Sequence, residues 1–256
     1  MRHQRFKAFV LKSVPFGQKD RLLHLLSEQR GLSVAMAYGA SSSKSRLQAV
    51  TMPFVLAEYE IFYYKERTTI DAGDLIEAFL PLHQDIAKLT AAAHFSQVTI
   101  DSLVQGVAEP DVYKLWGYTL HELCRNDDPA LVAQIAVFRL ISDLGYAPWL
   151  NDCIRCHAEI DQRACFSFPD SGLICSKEQI DQEACVYLSQ PAIASLLYVV
   201  QADYNLLFNF TISDRVRSEL LSFIDLYLTE KLEKQYTRLK LMDSFETILT
   251  PGKNED

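Results

Sequence analysis

The hydrophobic pattern changes period at Pro81, and this confines the chain to few architectures. Upstream, apolar residues come in short strand-like runs. Residues 6–13 (FKAFVLKS) mix apolar and basic side chains and are closed by Pro15 and Gly17. After Gly31, residues 32–38 (LSVAMAY) predict a second strand. Residues 54–64 (FVLAEYEIFYY) place Glu58 and Glu60 on one parity and Tyr59 and Ile61 on the other, a half-buried strand. Residues 68–70 and 74–79 predict a last strand or hairpin. Residues 21–27 (RLLHLLS) are too short and too apolar to assign by period alone. Between them, residues 39–46 (GASSSKSR) have the composition of an exposed, flexible loop.

Downstream the spacing turns helical. In residues 82–106 apolar positions recur at Ile86, Leu89, Ala93, Val98 and Leu103. Further helices are predicted over 112–124, 130–144, 191–207 and 214–232, with Ser213-Asp214 as N-terminal cap of the last and PGKNED as a frayed end. The expected fold is a multi-domain α+β chain. A small β-barrel or sandwich spans residues 1–80, and a helical domain spans 81–250, interrupted by a cysteine module at about 150–180.

Composition bounds the function class. At 49% hydrophobic and 11% aromatic residues the chain can fill a core. Its longest apolar runs, such as residues 196–200, are too short to cross a bilayer, and the N-terminus lacks the apolar segment of a secretory signal. Six cysteines in such a chain predict reduced thiols and a cytoplasmic protein. Net charge is −8, but residues 1–50 hold nine Lys/Arg against Asp20 and Glu28, a balance of +7 that leaves −15 for the remainder. Such asymmetry marks a polyanion-binding end on an acidic body, or ordinary surface variation.

The cysteine module lies in residues 144–178. Cys153-x2-Cys156 is followed after 18 residues by Cys175, the spacing of paired zinc knuckles. Glu178 stands where a fourth cysteine belongs, and its carboxylate is the expected fourth ligand beside Cys153, Cys156 and Cys175. His157, Cys165 and Cys185 fit that geometry less naturally. The alternative is a module without metal, its buried thiols packed as small hydrophobes. A redox role has no βαβ setting around the pair, and Cys124 reads as core. His157-Ala158-Glu159 follows the C-x-x-C instead of preceding it, the reverse of the deaminase order. No H-E-x-x-H, P-loop, nucleophile elbow or Rossmann glycine pattern occurs, so no enzyme is expected.

The basic set is Lys12, Lys19, Arg21, Lys44 and Arg46, interleaved with Phe9, Phe16 and Tyr38. Cations with stacking aromatics on a small barrel are one way to hold single-stranded nucleic acid. The same residues are also compatible with aromatic core under a solvated basic face.

Several stretches together resemble one family, the bacterial recombination mediator and DNA-repair protein RecO. The run FVLKSVPFGQKDRLLHLLSEQRGLSVAMAYGASSSKSRL is similar to its opening, with a Gly-x-x-Asp-Arg turn, a Ser-Glu-x-x-Gly turn and a basic loop ending Lys-Ser-Arg. LGYAPWLNDCIRCHAE resembles its first cysteine junction, SGLICSKE its second knuckle, and LYLTEKLEKQYTRLKLMDSF its C-terminal helix. Ser171 and Glu178 depart from the family's glycine and cysteine. The resemblance implies an N-terminal OB-fold and a helical domain with a zinc-ribbon-like insertion carrying one structural zinc. It also implies binding of single- and double-stranded DNA, strand annealing, and help in loading recombinase onto strands coated by single-strand-binding protein. The implied partners are RecR and single-strand-binding protein, in a bacterial cytoplasm and on the nucleoid during repair. By position, Lys12, Lys19, Arg21, Lys44 and Arg46 become DNA contacts and the cysteines zinc ligands. The alternative is a protein-interaction scaffold that carries a structural zinc module and touches no DNA.

Overall fold

A computed structural model describes residues 2–64, 67–160, 163–178 and 185–236. The end of the stretch LYLTEKLEKQYTRLKLMDSF and the frayed end expected at PGKNED lie outside these. Five strands form a closed barrel: β1 (Arg2–Phe16), β2 (Asp20–Ser27), β3 (Gly31–Ala37), β4 (Leu56–Tyr64) and β5 (Arg67–Glu77), in the order β1-β2-β3-β5-β4. Pairing is antiparallel except where β3 meets β5 at Met36 and Thr69 and closes the barrel.

Alternation fills the interior. Phe6, Ala8 and Val10 from β1 meet Leu23, Leu25, Ala35, Ala57, Tyr59 and Ile61 in one buried cluster. The apolar segment 21–27 is therefore a strand, hydrogen-bonded on both sides and buried. Residues 68–70 and 74–79 fall largely within the single strand β5, bent by register shifts opposite Leu56/Ala57 and Glu60/Ile61. Gly73 within it lets the Tyr59 ring and Val50 approach, since a Cβ there would stand 3.0–3.4 Å from them.

Helices α1 (Leu80–Gln84), α2 (Ile86–Ser102) and α3 (Pro110–Arg125) follow. The helix expected from residue 82 breaks at Asp85, whose extended backbone lets its carboxylate accept the Ala87 and Lys88 N–H groups and start α2. The outer face of β1 is covered: Ser96 Oγ donates to Leu11 O at 2.6 Å, and the Phe9 ring packs on Tyr113 and Trp116. Trp116 stacks on Phe95 and donates to Thr99 Oγ1 at 3.1 Å. Barrel and helices α1–α3 form one compact unit that runs to Pro129. Cys124 is a half-buried free thiol within it.

The second compact unit begins at Ala130. It contains α4 (Pro129–Ile141), a π turn at Ser142–Tyr146, the three-stranded sheet β6 (Arg163–Ser167), β7 (Gly172–Ile174) and β8 (Cys185–Ser189), then α5 (Gln190–Gln201) and α6 (Asp214–Leu232). Phe138, Phe166, Phe223 and Tyr227 form its aromatic core. Helix α6 and its Ser213 cap fall where the sequence puts them, the hydroxyl accepting the Val216 N–H. Helix α5 stops at Gln201, earlier than its apolar spacing predicts, because Arg139 takes up its end carbonyls at Val199 and Ala202. Cys165 on β6 and Cys185 on β8 lie side by side, with Cα–Cα 5.8 Å.

Candidate nucleic-acid interface

The β1–β2 hairpin closes between Phe16 and Asp20, with Gly17 in the left-handed region at φ 62°. Lys19 sits at its tip and Arg21 one residue into β2. Arg21 Nε donates to Ser13 Oγ at 2.6 Å, which fixes the guanidinium beside the hairpin. Lys12 is exposed on β1 next to Ser13, at the register shift between Val10 and Lys12.

Residues 39–46 are ordered as successive turns: Ser42 N–H donates to Gly39 O, Ser45 N–H to Ser42 O, and Gln48 N–H to Ser45 O. Ala40 and Val50 sink into the barrel core and Leu47 packs against it, leaving Lys44 and Arg46 in solvent. Two bonds tie this loop to the hairpin tip. Gly39 N–H donates to Asp20 Oδ1 and Ser41 N–H to Lys19 O, each at 2.8 Å. Lys19, Arg21 and the Lys44/Arg46 loop are thus gathered at one end of the barrel.

Two facts give this end its chemistry. Among the described residues, the side chains of Lys12, Lys19, Lys44 and Arg46 make no hydrogen bond or ion pair, and Arg21 bonds only to Ser13. Several cations elsewhere are paired with acids, as in Arg5–Asp74, Lys114–Asp111, Arg139–Asp143 and Arg155–Asp170. In addition, Phe16 and Tyr38 are 53% and 55% exposed. Phe9, grouped with them on sequence, is instead core beneath α3. Sequence reasoning missed Ser13 and Asp20 as supports, and missed Arg30, stacked over Tyr63 in a cleft of about 1010 Å³ that Arg5, Lys7, Glu28, Glu58 and Tyr113 also line. In that cleft two acids, Glu28 and Glu58, stand among three cations, Arg5, Lys7 and Arg30.

In the second unit the cysteine module converges as its spacing predicts. Cys153 N–H donates to Ala158 O and His157 N–H to Cys153 O, closing the first knuckle. Trp149, Ile154 and Leu173 exchange backbone bonds that dock the second knuckle on the first. A Cβ on Gly172 would stand 2.8–3.0 Å from Ile154 and Trp149, so a side chain there would require both to shift. Ser171 takes the left-handed turn in glycine's place at φ 56°, and its hydroxyl bonds Phe168 O and Lys231 Nζ.

The sulfurs of Cys153, Cys156 and Cys175 lie within 4.8 Å of one another, with Cys156 and Cys175 at 3.6 Å. Thiolates on a tetrahedral zinc stand about 3.8 Å apart, so the set fits that ion. Burial raises the Cys153 thiol, but N–H groups of Cys175, Cys156 and Arg155 aimed at the sulfur outweigh it and bring it down to about 7. Cys156 accepts the Ala158 N–H, yet the Cys153 and Cys175 thiols push it up to about 11. The Glu178 carboxylate is not among the converging atoms, and its N–H donates to Cys175 O at 3.2 Å.

Comparison with known proteins agrees with both halves of this architecture. The family model for the Recombination protein O N terminal matches residues 1–79, and that for the Recombination protein O C terminal matches residues 83–240. The DNA repair protein RecO of Acetivibrio thermocellus is 31% identical over 249 residues, covering 97% of this chain and 99% of that protein. Those of Exiguobacterium sibiricum and Thermoanaerobacter sp. are each 27% identical, covering 92% and 97% of this chain and 92% and 100% of their own lengths. With a five-stranded OB-like barrel followed by a helical region, and both family models matched in order, the chain belongs to the RecO family of DNA repair and recombination proteins.

Proposed function

We propose that this protein binds single- and double-stranded DNA at the hairpin end of its barrel, anneals complementary strands, and helps load recombinase onto strands coated by single-strand-binding protein. The observation that carries this reading is the set of cations without acidic partners, Lys19, Arg21, Lys44 and Arg46 with Lys12 further along β1, at the end of the barrel that also exposes Phe16 and Tyr38. Cations neutralise phosphates and release their counterions, so affinity falls with salt. Exposed rings stack on bases without reading their sequence. Two strands held on one surface meet at raised effective concentration, which speeds pairing without covalent chemistry. RecR and single-strand-binding protein are the partners this role calls for, and the cytoplasm, at the nucleoid, is its place.

In the same reading Cys153, Cys156 and Cys175 hold one structural zinc, which when bound ties the two knuckles together. Glu178, three residues beyond Cys175, supplies the fourth ligand by turning its carboxylate inward. Metal content of wild type against Glu178→Gln tests that ligand, which predicts weaker retention of zinc in the variant.

The decisive experiment changes Lys44 and Arg46 together to Glu. Both side chains are exposed, so the fold and melting temperature are expected to stay as in wild type while strand annealing is lost. Unchanged annealing would remove the loop from the interface. The scaffold alternative draws on an apolar recess of about 480 Å³ beside Ile76, Phe79 and Tyr118, and it predicts no salt-dependent DNA shift at all.

A further inference from the structure

Asp20 is an acid set between Lys19 and Arg21 at the most cationic end of the barrel. By charge alone it opposes a polyanion there. Among the described residues it makes no ion pair with either neighbour; its Oδ1 accepts the Gly39 N–H at 2.8 Å instead. Gly39 is left-handed at φ 66°, with Tyr38 exposed just before it and Ala40 buried just after. The chain therefore turns from solvent into the core at the residue Asp20 holds. The neighbouring bond from Ser41 N–H to Lys19 O fixes the same junction through backbone alone.

We infer that Asp20 is a positioning residue of the DNA interface: its carboxylate latches residues 38–46 to the β1–β2 hairpin, so that Tyr38, Lys44 and Arg46 meet the same strand as Phe16 and Lys19. The inference rests on the DNA-binding reading above. It makes a prediction opposite in sign to simple electrostatics. Removing a carboxylate from a phosphate-binding surface tightens binding, whereas removing the latch weakens it.

The test compares full-length wild type, Asp20→Ala, Asp20→Asn and the Lys44→Glu/Arg46→Glu pair for binding a fluorescein-labelled oligothymidylate across a salt series. Asp20→Ala loses the acceptor and is expected to bind about tenfold more weakly, with a shallower salt slope because the loop cations leave the phosphates. Asp20→Asn keeps an acceptor for the Gly39 N–H and drops the charge. It is expected to bind as wild type or up to about fivefold tighter. Wild-type or tighter binding by Asp20→Ala, or binding by Asp20→Asn as weak as by Asp20→Ala, overturns the latch. If Asp20→Ala does not fold, Asp20→Asn decides: a protected Gly39 amide with undiminished affinity supports the latch, and loss of either overturns it. Unchanged binding by the Lys44/Arg46 variant overturns the interface reading itself. Loss of binding there, with wild-type binding by Asp20→Ala, overturns the latch alone.

Discussion

At the scale of single residues, exposure separates side chains that the sequence lists together. Phe9, Phe16 and Tyr38 all interleave with the basic set, yet Phe9 is 3% exposed and the other two more than half. Parity places Phe9 on the outer face of β1 with Lys7, but whether an outer face meets water or a helix depends on α3, more than 100 residues downstream. Phe16 and Tyr38 lie at strand ends, beyond the reach of the helices' cover. Replacing either with Ala is therefore predicted to weaken binding of a single-stranded oligonucleotide by about 1–3 kcal/mol per stacked base, read by anisotropy. The salt slope should not change, since no phosphate contact is lost. A change in slope with no change in affinity would assign these rings another role. The cations were legible because charge survives any choice of rotamer. Their bracing by Ser13 and Asp20 was not, because it depends on hydrogen bonds closed only by the barrel.

At the scale of elements, the strands, the helices and the spacing of the thiols could be read with few errors, and the errors share a cause. Helix α2 starts at Asp85 and α5 ends at Gln201 because side chains, Asp85 and Arg139, satisfy end groups that apolar spacing does not register. Cys165 and Cys185 are 20 residues apart in sequence, and only the pairing of β6 with β8 brings them together. The turn between β2 and β3 gives a direct test of packing. Gly31 is left-handed at φ 59°, and a Cβ there would stand 1.7 Å from Val107 O. Gly31→Ala is predicted to destabilise the protein by about 2–4 kcal/mol, visible as a lower denaturation midpoint. In the cysteine module, Cys153→Ser removes a fully buried sulfur that accepts the Cys175 N–H. It is predicted to lower both zinc content and melting temperature. If neither falls, the knuckles stand by packing and hydrogen bonds alone.

At the scale of the whole molecule, the acidic body and the basic first fifty residues cease to conflict once the ion pairs are placed. Several charges outside the hairpin end are paired with one another, whereas among the described residues Lys12, Lys19, Arg21, Lys44 and Arg46 pair with no acid. A net charge of −8 then limits non-specific attraction over the body while one cationic end remains available for phosphate. The most direct measurement is the salt dependence of single-stranded DNA affinity for wild type and for Lys44→Glu/Arg46→Glu. Five phosphate contacts predict a slope of log K against log salt of about −3.5 for wild type, shallower by about 1.4 or more in the variant. A wild-type affinity indifferent to salt, or the same slope in both proteins, would contradict the assignment of DNA binding to this end of the barrel.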